Sequence, residues 1–168
     1  DPSNWYKKYL RSLSTMGSLV CWVLFLVYPN IANAQTTCSA PFFSEYIEGS
    51  SANKGLELFN PSDEAINLAN YTIEVYVNGN SDPRFTLVPQ GFLAPKATYS
   101  ISNSNADFAA NSDTSASVAG FNGDDAVILI DSEGNTLDAI GVVGEDPGIS
   151  WTAGEGATSN HTLVRNPT

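Results

Sequence analysis

The sequence has few of the side chains that most often carry catalysis or bind transition metals. Among 168 residues it contains one histidine, His161, and two cysteines, Cys21 and Cys38. A nucleophilic triad needs a base beside a serine or cysteine, and a transition-metal site needs several His or Cys ligands. Ser150 and Ser159 flank the histidine region, but no Gly-x-Ser-x-Gly elbow is present. We therefore predict no catalytic residue, and the lack of a glycine-rich phosphate loop opening a helix predicts no cofactor.

Basic residues are also scarce. Seven Lys and Arg stand against 18 Asp and Glu, which gives a formal net charge of −11. Binding to a phosphate backbone or to anionic lipid needs clustered Lys and Arg that displace counterions. No basic run with interleaved aromatic residues occurs. Nucleic-acid binding is therefore disfavoured, and the expected partner is an unknown protein or surface ligand.

The sequence has no apolar run of the length that spans a bilayer, which is about 20 residues. The candidate run, residues 17–28, has 12 residues and follows three basic residues. Residues 32–34, Ala-Asn-Ala, then match the small-x-small pattern of a cleavage site. We predict that residues 1–34 are a secretory signal peptide with a helical apolar part, and that residues 35–41 are a polar lead-in. A short membrane anchor is the alternative; with cleavage, the protein is secreted or at the cell surface and keeps no membrane span.

Removal of this leader changes both the charge and the cysteine count. The remainder has 4 basic and 17 acidic residues, a net charge of about −13. Cys38 is then the only thiol, so no internal disulfide can form and the apolar core must hold the fold alone. A lone cysteine in an exported protein is either free or pairs outside the chain shown. Because the chain begins at Asp1 rather than Met, we expect it to be a fragment whose true start lies upstream. We also expect it to be the N-terminal part of a larger extracellular protein.

The most apolar part of the remaining sequence predicts a β-hairpin. Residues 126–130 (AVILI) form a continuous apolar run with the length of a buried strand. Residues 131–135 form a turn in which Gly134 and Asn135 can adopt positive φ at low cost. Residues 137–143 then return as a second apolar segment. We predict that this hairpin is covered on both sides and lies at the centre of the core, not at an edge.

The other segments predict short strands separated by turns. Residues 71–77 alternate between apolar and polar side chains, and Asn78-Gly79 follows them as a hairpin-turn signal, with residues 84–88 as the return strand. Further strands are expected at residues 42–48, 56–60, 98–102 and 162–165, and loops at residues 103–117 and 154–160. Eight or nine short strands without a helical apolar period predict an all-β sandwich.

A series of short motifs runs along the chain from residue 42 onward. In order they are FSEYIEG at residues 43–49, LELFNP at 56–61, LANYTIEVYV at 68–77, GDDAV at 123–127, DAIG at 138–141, DPG at 146–148, Trp151, and NHTLVR at 160–165. Together they resemble the lamin tail domain, and most closely its bacterial exported branch. The resemblance implies an immunoglobulin-like β-sandwich over residues 42–168, in which residues 161–165 form a structural strand.

The resemblance also implies two expectations about missing sequence. Relatives of this kind usually continue past the Leu-Val-Arg strand with a Trp-containing segment that completes the sandwich, so the domain is expected to be truncated at its C-terminus. Such modules often accompany extracellular nucleases or phosphatases, or belong to surface proteins. Any nuclease activity of the full-length protein would then belong to sequence beyond Thr168.

Four acidic residues in turns are candidates for calcium binding. They are Asp124, Asp125, Glu145 and Asp146, which could converge at one end of the sandwich. Calcium takes six to eight oxygen ligands, but the EF-hand spacing is absent, and Asp is also a common turn residue. We predict solvated turns and no metal site, with a calcium-dependent adhesion module as the alternative.

Three further carboxylates fall in predicted strands. Glu45, Glu57 and Glu74 could in principle supply the paired carboxylates of glycoside hydrolysis. Outward-facing charges that discourage edge-to-edge pairing are the favoured interpretation. We expect Arg165 to be a structural partner of one of these three glutamates.

Aromatic residues offer one more candidate site. Trp151, Tyr71, Tyr76 and Phe121 could form a platform on which a ligand stacks. Aromatic residues in a sandwich are more often core or cross-strand partners, which is the favoured interpretation. The sequence therefore predicts a non-catalytic exported binding or positioning module. The alternatives are an accessory domain of an extracellular nuclease or phosphatase, or the calcium-dependent module.

Overall fold

The computed structural model describes residues 39–154 and 156–165. The predicted signal peptide, Cys21 and Cys38 lie outside these residues. The strands are β1 Phe42–Glu48, β2 Lys54–Phe59, β3 Ile66–Asn67, β4 Tyr71–Tyr76, β5 Phe85–Leu87, β6 Phe92–Leu93, β7 Thr98–Ser102, β8 Thr114–Ser115, β9 Ala126–Asp131, β10 Thr136–Ile140, β11 Thr152–Ala153, β12 Gly156–Ala157 and β13 Thr162–Val164. Single turns of 3₁₀ helix occur at Leu68–Asn70, Ala109–Asn111 and Ser117–Ala119. Within the described part of the chain, no helix is long and apolar enough to cross a membrane.

The strands form two main sheets. One has five strands in the order β13-β1-β2-β7-β8, and the other has four in the order β10-β9-β4-β5. All main-sheet pairs are antiparallel except β7–β8. Two small ribbons, β3–β6 and β11–β12, lie outside these sheets. The predicted all-β immunoglobulin-like sandwich is confirmed.

Alternating side chains from both sheets build the core. In β4, Ile73 and Val75 are fully buried, whereas Glu74 between them is only partly covered. In β2 the same alternation buries Leu56 and Leu58. Each such side chain contributes about 1.5–3 kcal/mol on burial. Residues 39–154 and 156–165 contain no cysteine, so the apolar core stabilises this part of the chain without a disulfide within it.

The structure divides the predicted central hairpin between the interior and an edge. β9 lies between β10 and β4, and its first four residues are buried, so this half of the prediction is confirmed. β10 is the outermost strand of its sheet, so the prediction that the whole hairpin is central was wrong. Leu137 and Ile140 are half-buried, and Val142 is exposed. The apolar character of this segment arises because it borders the seam between the two sheets.

Two predicted connections also differ from the structure. Asn78 and Gly79 adopt positive φ, but β4 ends at Tyr76 and β5 begins at Phe85, so the connection is longer than a two-residue turn. The predicted loop at residues 154–160 contributes to the β11–β12 ribbon. Both differences reflect contacts with distant segments, which local turn signals do not encode.

Candidate functional site

An apolar groove of about 390 Å³ lies beside the end of β10. We call it the seam groove. Ile140 and Val142 form one wall, the β11–β12 ribbon forms the other, and Leu163 of β13 closes the end. Its full lining is Ala139, Ile140, Gly141, Val142, Trp151, Thr152, Gly156, Ala157, Thr158 and Leu163.

Gly141 and Trp151 fit against each other in the wall of the groove. Gly141 has φ of +81°, which disfavours other residues, and a Cβ there would lie 2.5 Å from Trp151 Nε1. The indole therefore packs directly on the Gly141 backbone. Trp151 Nε1 donates a hydrogen bond of 3.0 Å to the Asp125 carbonyl oxygen. This contact fixes the ring against the sandwich.

Thr158 follows the β11–β12 ribbon and ties it to Trp151. It is buried, its Oγ1 accepts a hydrogen bond of 2.9 Å from the Trp151 N–H, and it donates to the Gly123 carbonyl. The Thr158 N–H also donates to the Trp151 carbonyl at 3.1 Å. These bonds leave the polar atoms of the wall engaged within the fold. The lining of the groove is mainly apolar.

A smaller cleft of about 220 Å³ continues the opening along β1 and β13. We call it the seam cleft, and it shares Ile140 and Leu163 with the seam groove. Phe43 and Glu45 of β1 line its far side. The two openings therefore lie beside the same two residues along the seam between the edges of the sheets.

An ion pair bridges this seam. Arg165 Nη2 lies 2.8 and 2.6 Å from the two carboxylate oxygens of Asp138, and Arg165 Nε donates to the Phe43 carbonyl at 3.1 Å. Asp138 Oδ2 also accepts the Phe43 N–H at 2.8 Å. The expectation that Arg165 pairs with Glu45, Glu57 or Glu74 was wrong. Arg165 leaves β13 beside the start of β1, so its side chain reaches β10 instead.

Asp125 lies at another point where loops meet. Its side chain accepts hydrogen bonds from the Asn78 N–H (3.0 Å) and the Asn122 N–H (2.7 Å), and it is 1% exposed. Burial raises its pKa, although the two N–H donors and Lys54 act in the opposite direction. Asp125 is thus a loop-fixing carboxylate with both oxygens engaged.

The other calcium candidates lie around the same turn. A Cβ on Gly79 would be 3.0 Å from Asp146 Cβ, so Asp125 and Asp146 both border the Asn78-Gly79 segment. Asp124 is half-buried, whereas Glu145 and Asp146 are exposed. In residues 39–154 and 156–165, no three His, Cys, Asp or Glu side chains group as metal ligands. The prediction of solvated turns, with calcium binding as its alternative, remains to be tested.

His161 belongs to a segment held by a buried ion pair. Glu48 pairs with Lys54 and accepts the Asn160 N–H, while the Glu48 N–H donates to the His161 carbonyl at 3.0 Å. The exposed His161 ring has Nδ1 2.6 Å from the Ser159 carbonyl oxygen. The imidazole therefore contacts the backbone carbonyl of Ser159. It makes no hydrogen bond with the Ser159 hydroxyl, which a nucleophilic pair would require.

The structure brings together two of the three strand glutamates. Glu45 and Glu57 are direct cross-strand partners on β1 and β2, beside a shallow groove of about 150 Å³, and Glu57 accepts a 2.6 Å hydrogen bond from Ser44 Oγ. Glu74 lies on the other sheet and accepts a 2.5 Å hydrogen bond from Tyr76 OH. Burial, followed by this hydrogen bond, raises the pKa of Tyr76 to about 12.

The four aromatic candidates do not form one platform. Phe121 is fully buried and stacks on Tyr46 with ring centroids 4.8 Å apart. Tyr71 and Tyr76 stand at opposite ends of β4, and of the four only Trp151 lines the seam groove. Sequence reasoning missed the apolar residues that share the groove with Trp151. Their signal was the apolar run after residue 136, which was interpreted as core.

Comparison with protein families gives one match. The model of the Lamin Tail Domain matches residues 34–144, about two thirds of the chain. This segment includes β1 to β10, so one wall of the seam groove lies inside it and the β11–β12 ribbon lies beyond it. A search of curated proteins finds no match.

Proposed function

The chain belongs to the lamin tail domain family, and on that premise we propose that it is a non-catalytic binding or positioning module. We further propose that the module is exported and forms the N-terminal part of a larger extracellular protein. The leader-like pattern of residues 1–34 supports export. The position in a larger protein is supported by the motif series, which resembles a branch of the family whose modules often accompany other extracellular domains.

The observation that carries the binding role is the seam groove. Its volume of about 390 Å³ falls within the roughly 300–1,000 Å³ that is usual for ligand sites. The groove is lined mostly by apolar and small residues and is preformed, because Gly141, Trp151 and Thr158 lock its walls. A preformed apolar surface favours binding, since little conformational entropy is lost when a ligand is held.

The arrangement of polar groups supports a non-catalytic role. Acid–base catalysis requires side chains within hydrogen-bond reach of a substrate proton. In the seam groove, Thr158 Oγ1 and the Trp151 indole N–H make their hydrogen bonds inside the fold. At the seam, Asp138 is engaged by Arg165 and Phe43. These side chains connect segments of the fold, so their polar atoms are already used in hydrogen bonds.

A ligand-observed NMR screen of the 168-residue chain tests the proposal. The panel contains extended peptides, oligosaccharides and oligonucleotides, each followed in time for turnover. We expect at least one class to bind without product formation. Failure of every class to bind would contradict the binding role.

A nuclease assay tests the non-catalytic role separately. We expect no cleavage of single- or double-stranded DNA with magnesium or calcium present. Cleavage that is lost in His161→Ala, with the melting temperature unchanged, would contradict the proposal. The alternative of an accessory domain of a nuclease or phosphatase is settled by reading the gene beyond codon 168 for a catalytic domain.

A further inference from the structure

The outer edge of β10 is open along the seam groove. β10 pairs with β9 on one side, and no other described strand pairs with it. Its final residues and the following turn, Ala139 to Val142, line the groove. The Ala139 N–H donates to Asp138 Oδ1 at 3.0 Å, so part of this edge is already engaged. An occupant would therefore be held mainly by side chains that enter the groove.

Two exposed apolar side chains line this opening, and two more lie close in sequence to residues that line it. Val142 lines the seam groove and is 47% exposed, and Val164 lines the seam cleft and is 67% exposed. Val143 follows the groove wall in sequence, and Ile149 precedes Trp151 by two residues. These are four of the six large apolar side chains that are exposed in the described residues. Exposed apolar patches of this kind mark interaction surfaces.

The charge around the opening indicates the chemistry of a partner. Glu45 lines the seam cleft. Glu145 lies in the turn after β10, where its N–H donates a hydrogen bond of 3.2 Å to the Val142 carbonyl. Residues 39–154 and 156–165 contain 16 Asp and Glu but four Lys and Arg. Three of these cations already pair with carboxylates, in Lys54–Glu48, Lys96–Asp63 and Arg165–Asp138. The apolar opening is thus flanked by unneutralised acidic side chains.

The same charges argue against a second copy as the occupant. Two copies would each carry a net charge of about −12 over the described residues and would place the same carboxylates at the contact. Like charges brought together at an interface oppose association. Lys and Arg beside apolar residues would be attracted instead.

On the basis of the proposed binding function, we infer that the seam groove binds an extended peptide segment of a protein partner in which apolar residues alternate with Lys or Arg. Alternate side chains of an extended peptide point to opposite sides, so one set enters the groove. The Lys or Arg side chains point away from the groove, but they are long enough to reach back to the carboxylates of Glu45 in the seam cleft and of Glu145 in the turn after Val142. An extended segment beside an open sheet edge is a recurrent mode of peptide recognition.

Fluorescence anisotropy with a defined probe tests this inference. The probe is a labelled peptide of about ten residues with alternating Val or Trp and Lys, compared with its scrambled and Lys-to-Glu versions. We expect saturable binding of the alternating peptide to the full chain, about tenfold tighter than binding of either comparison peptide. Absence of saturation at about 1 mM, or equal binding of the scrambled peptide, would overturn the inference.

A matched pair of variants locates the site. Val142→Lys adds a charge in the groove, and Val88→Lys adds the same charge just after β5, at the opposite edge of the same sheet, where Val88 is 42% exposed. We expect Val142→Lys to weaken peptide binding by about tenfold or more and Val88→Lys by less than about twofold. Equal losses would show general charge attraction only, and no loss would exclude the groove. Either result rejects the inference.

Methyl NMR of the unmodified chain removes any dependence on how the variants fold. The alternating peptide should shift the methyl resonances of Ile140, Val142 and Leu163, while those of Ile73 in the core stay unchanged. Binding that leaves the groove methyls unaffected rejects the inference. If the alternating peptide fails but another member of the ligand panel binds without turnover, the inference fails and the proposed binding function stands. If nothing binds, both fail.

Discussion

At the residue scale, single side chains fix segments that are distant in the sequence. Asp125 holds the Asn78 and Asn122 backbones through its two carboxylate oxygens. Gly141 allows Trp151 to pack against the backbone after β10. Both residues hold the folded backbone in place. We therefore expect their substitution to lower the free energy of unfolding.

Replacement of Asp125 by Asn should destabilise the domain. An asparagine can accept one of the two N–H groups with its oxygen, but its NH₂ would face the other. We expect a loss of about 1–3 kcal/mol in the free energy of unfolding, because a buried N–H is left without a partner. Chemical denaturation measures it, with Asp124→Asn at the half-buried neighbour as control. Equal effects of the two variants would contradict the role given to Asp125.

Replacement of Gly141 by Ala should also destabilise the domain. Its Cβ would collide with the Trp151 indole, and its positive φ disfavours alanine. Gly134→Ala is the matched control, because Gly134 has a similar φ of +87° but open space around its Cβ position. We expect Gly134→Ala to cost about 1 kcal/mol from backbone strain and Gly141→Ala clearly more. Equal costs from denaturation would show that the indole can move away freely.

At the element scale, the loop after β7 is tied back to that strand. Asp113 Oδ2 accepts hydrogen bonds from Ser100 N–H and Oγ–H, at 2.8 and 2.7 Å, just before the short strand β8. The backbone N–H and then the hydroxyl of Ser100 lower the pKa of Asp113. The ionised carboxylate thus supports the parallel β7–β8 pairing at the end of the five-stranded sheet.

This pairing should give a small acid-sensitive contribution to stability. Because the folded pKa of Asp113 is lowered, the contribution is present above the pKa of an unfolded aspartate, about 3.9, and is lost as pH falls through the folded value. We expect Asp113→Asn to lower the melting temperature slightly at pH about 6, with the difference from wild type shrinking by pH about 2. Asp82→Asn, an exposed loop substitution, is the control. A difference that grows on acidification would contradict the assignment.

At the scale of the whole molecule, the domain combines a continuous core with a strongly acidic surface. The core includes fully buried side chains from both main sheets, while most carboxylates lie in loops or on outer faces. At the seam, apolar side chains of the two sheets reach the surface, and this is the surface that we propose for a partner. It also means that a cation could gather at acidic turns without a formed site.

Calcium should therefore leave the stability of the domain nearly unchanged. Both oxygens of Asp125 already accept backbone N–H groups, so calcium binding there would have to displace hydrogen bonds. We expect no saturable heat in calorimetry and no rise in melting temperature at about 5 mM calcium. Magnesium at equal ionic strength is the control. A calcium-specific rise that disappears in Asp146→Asn would establish the adhesion alternative.

The sequence predicted elements whose periodicity is local. The alternation of residues 71–77 and the spacing of residues 42–48 and 98–102 predicted β4, β1 and β7 within one residue at each end. The partner of Arg165 could not be predicted, because Asp138 reaches it only after β13 pairs with β1. The seam groove could not be predicted for a similar reason, because its lining comes from segments that only tertiary folding brings together.

The sequence by itself determined the all-β class, the buried face of β4 and the acidic net charge. These follow from side-chain periodicity and composition, which are properties of neighbouring residues. The tertiary structure alone decided that β10 is an edge strand, that Asp138 binds Arg165 and that Trp151 lines an apolar groove. Those outcomes depend on the order of strands in each sheet, which is set by the total burial of the chain and is not encoded in any one segment.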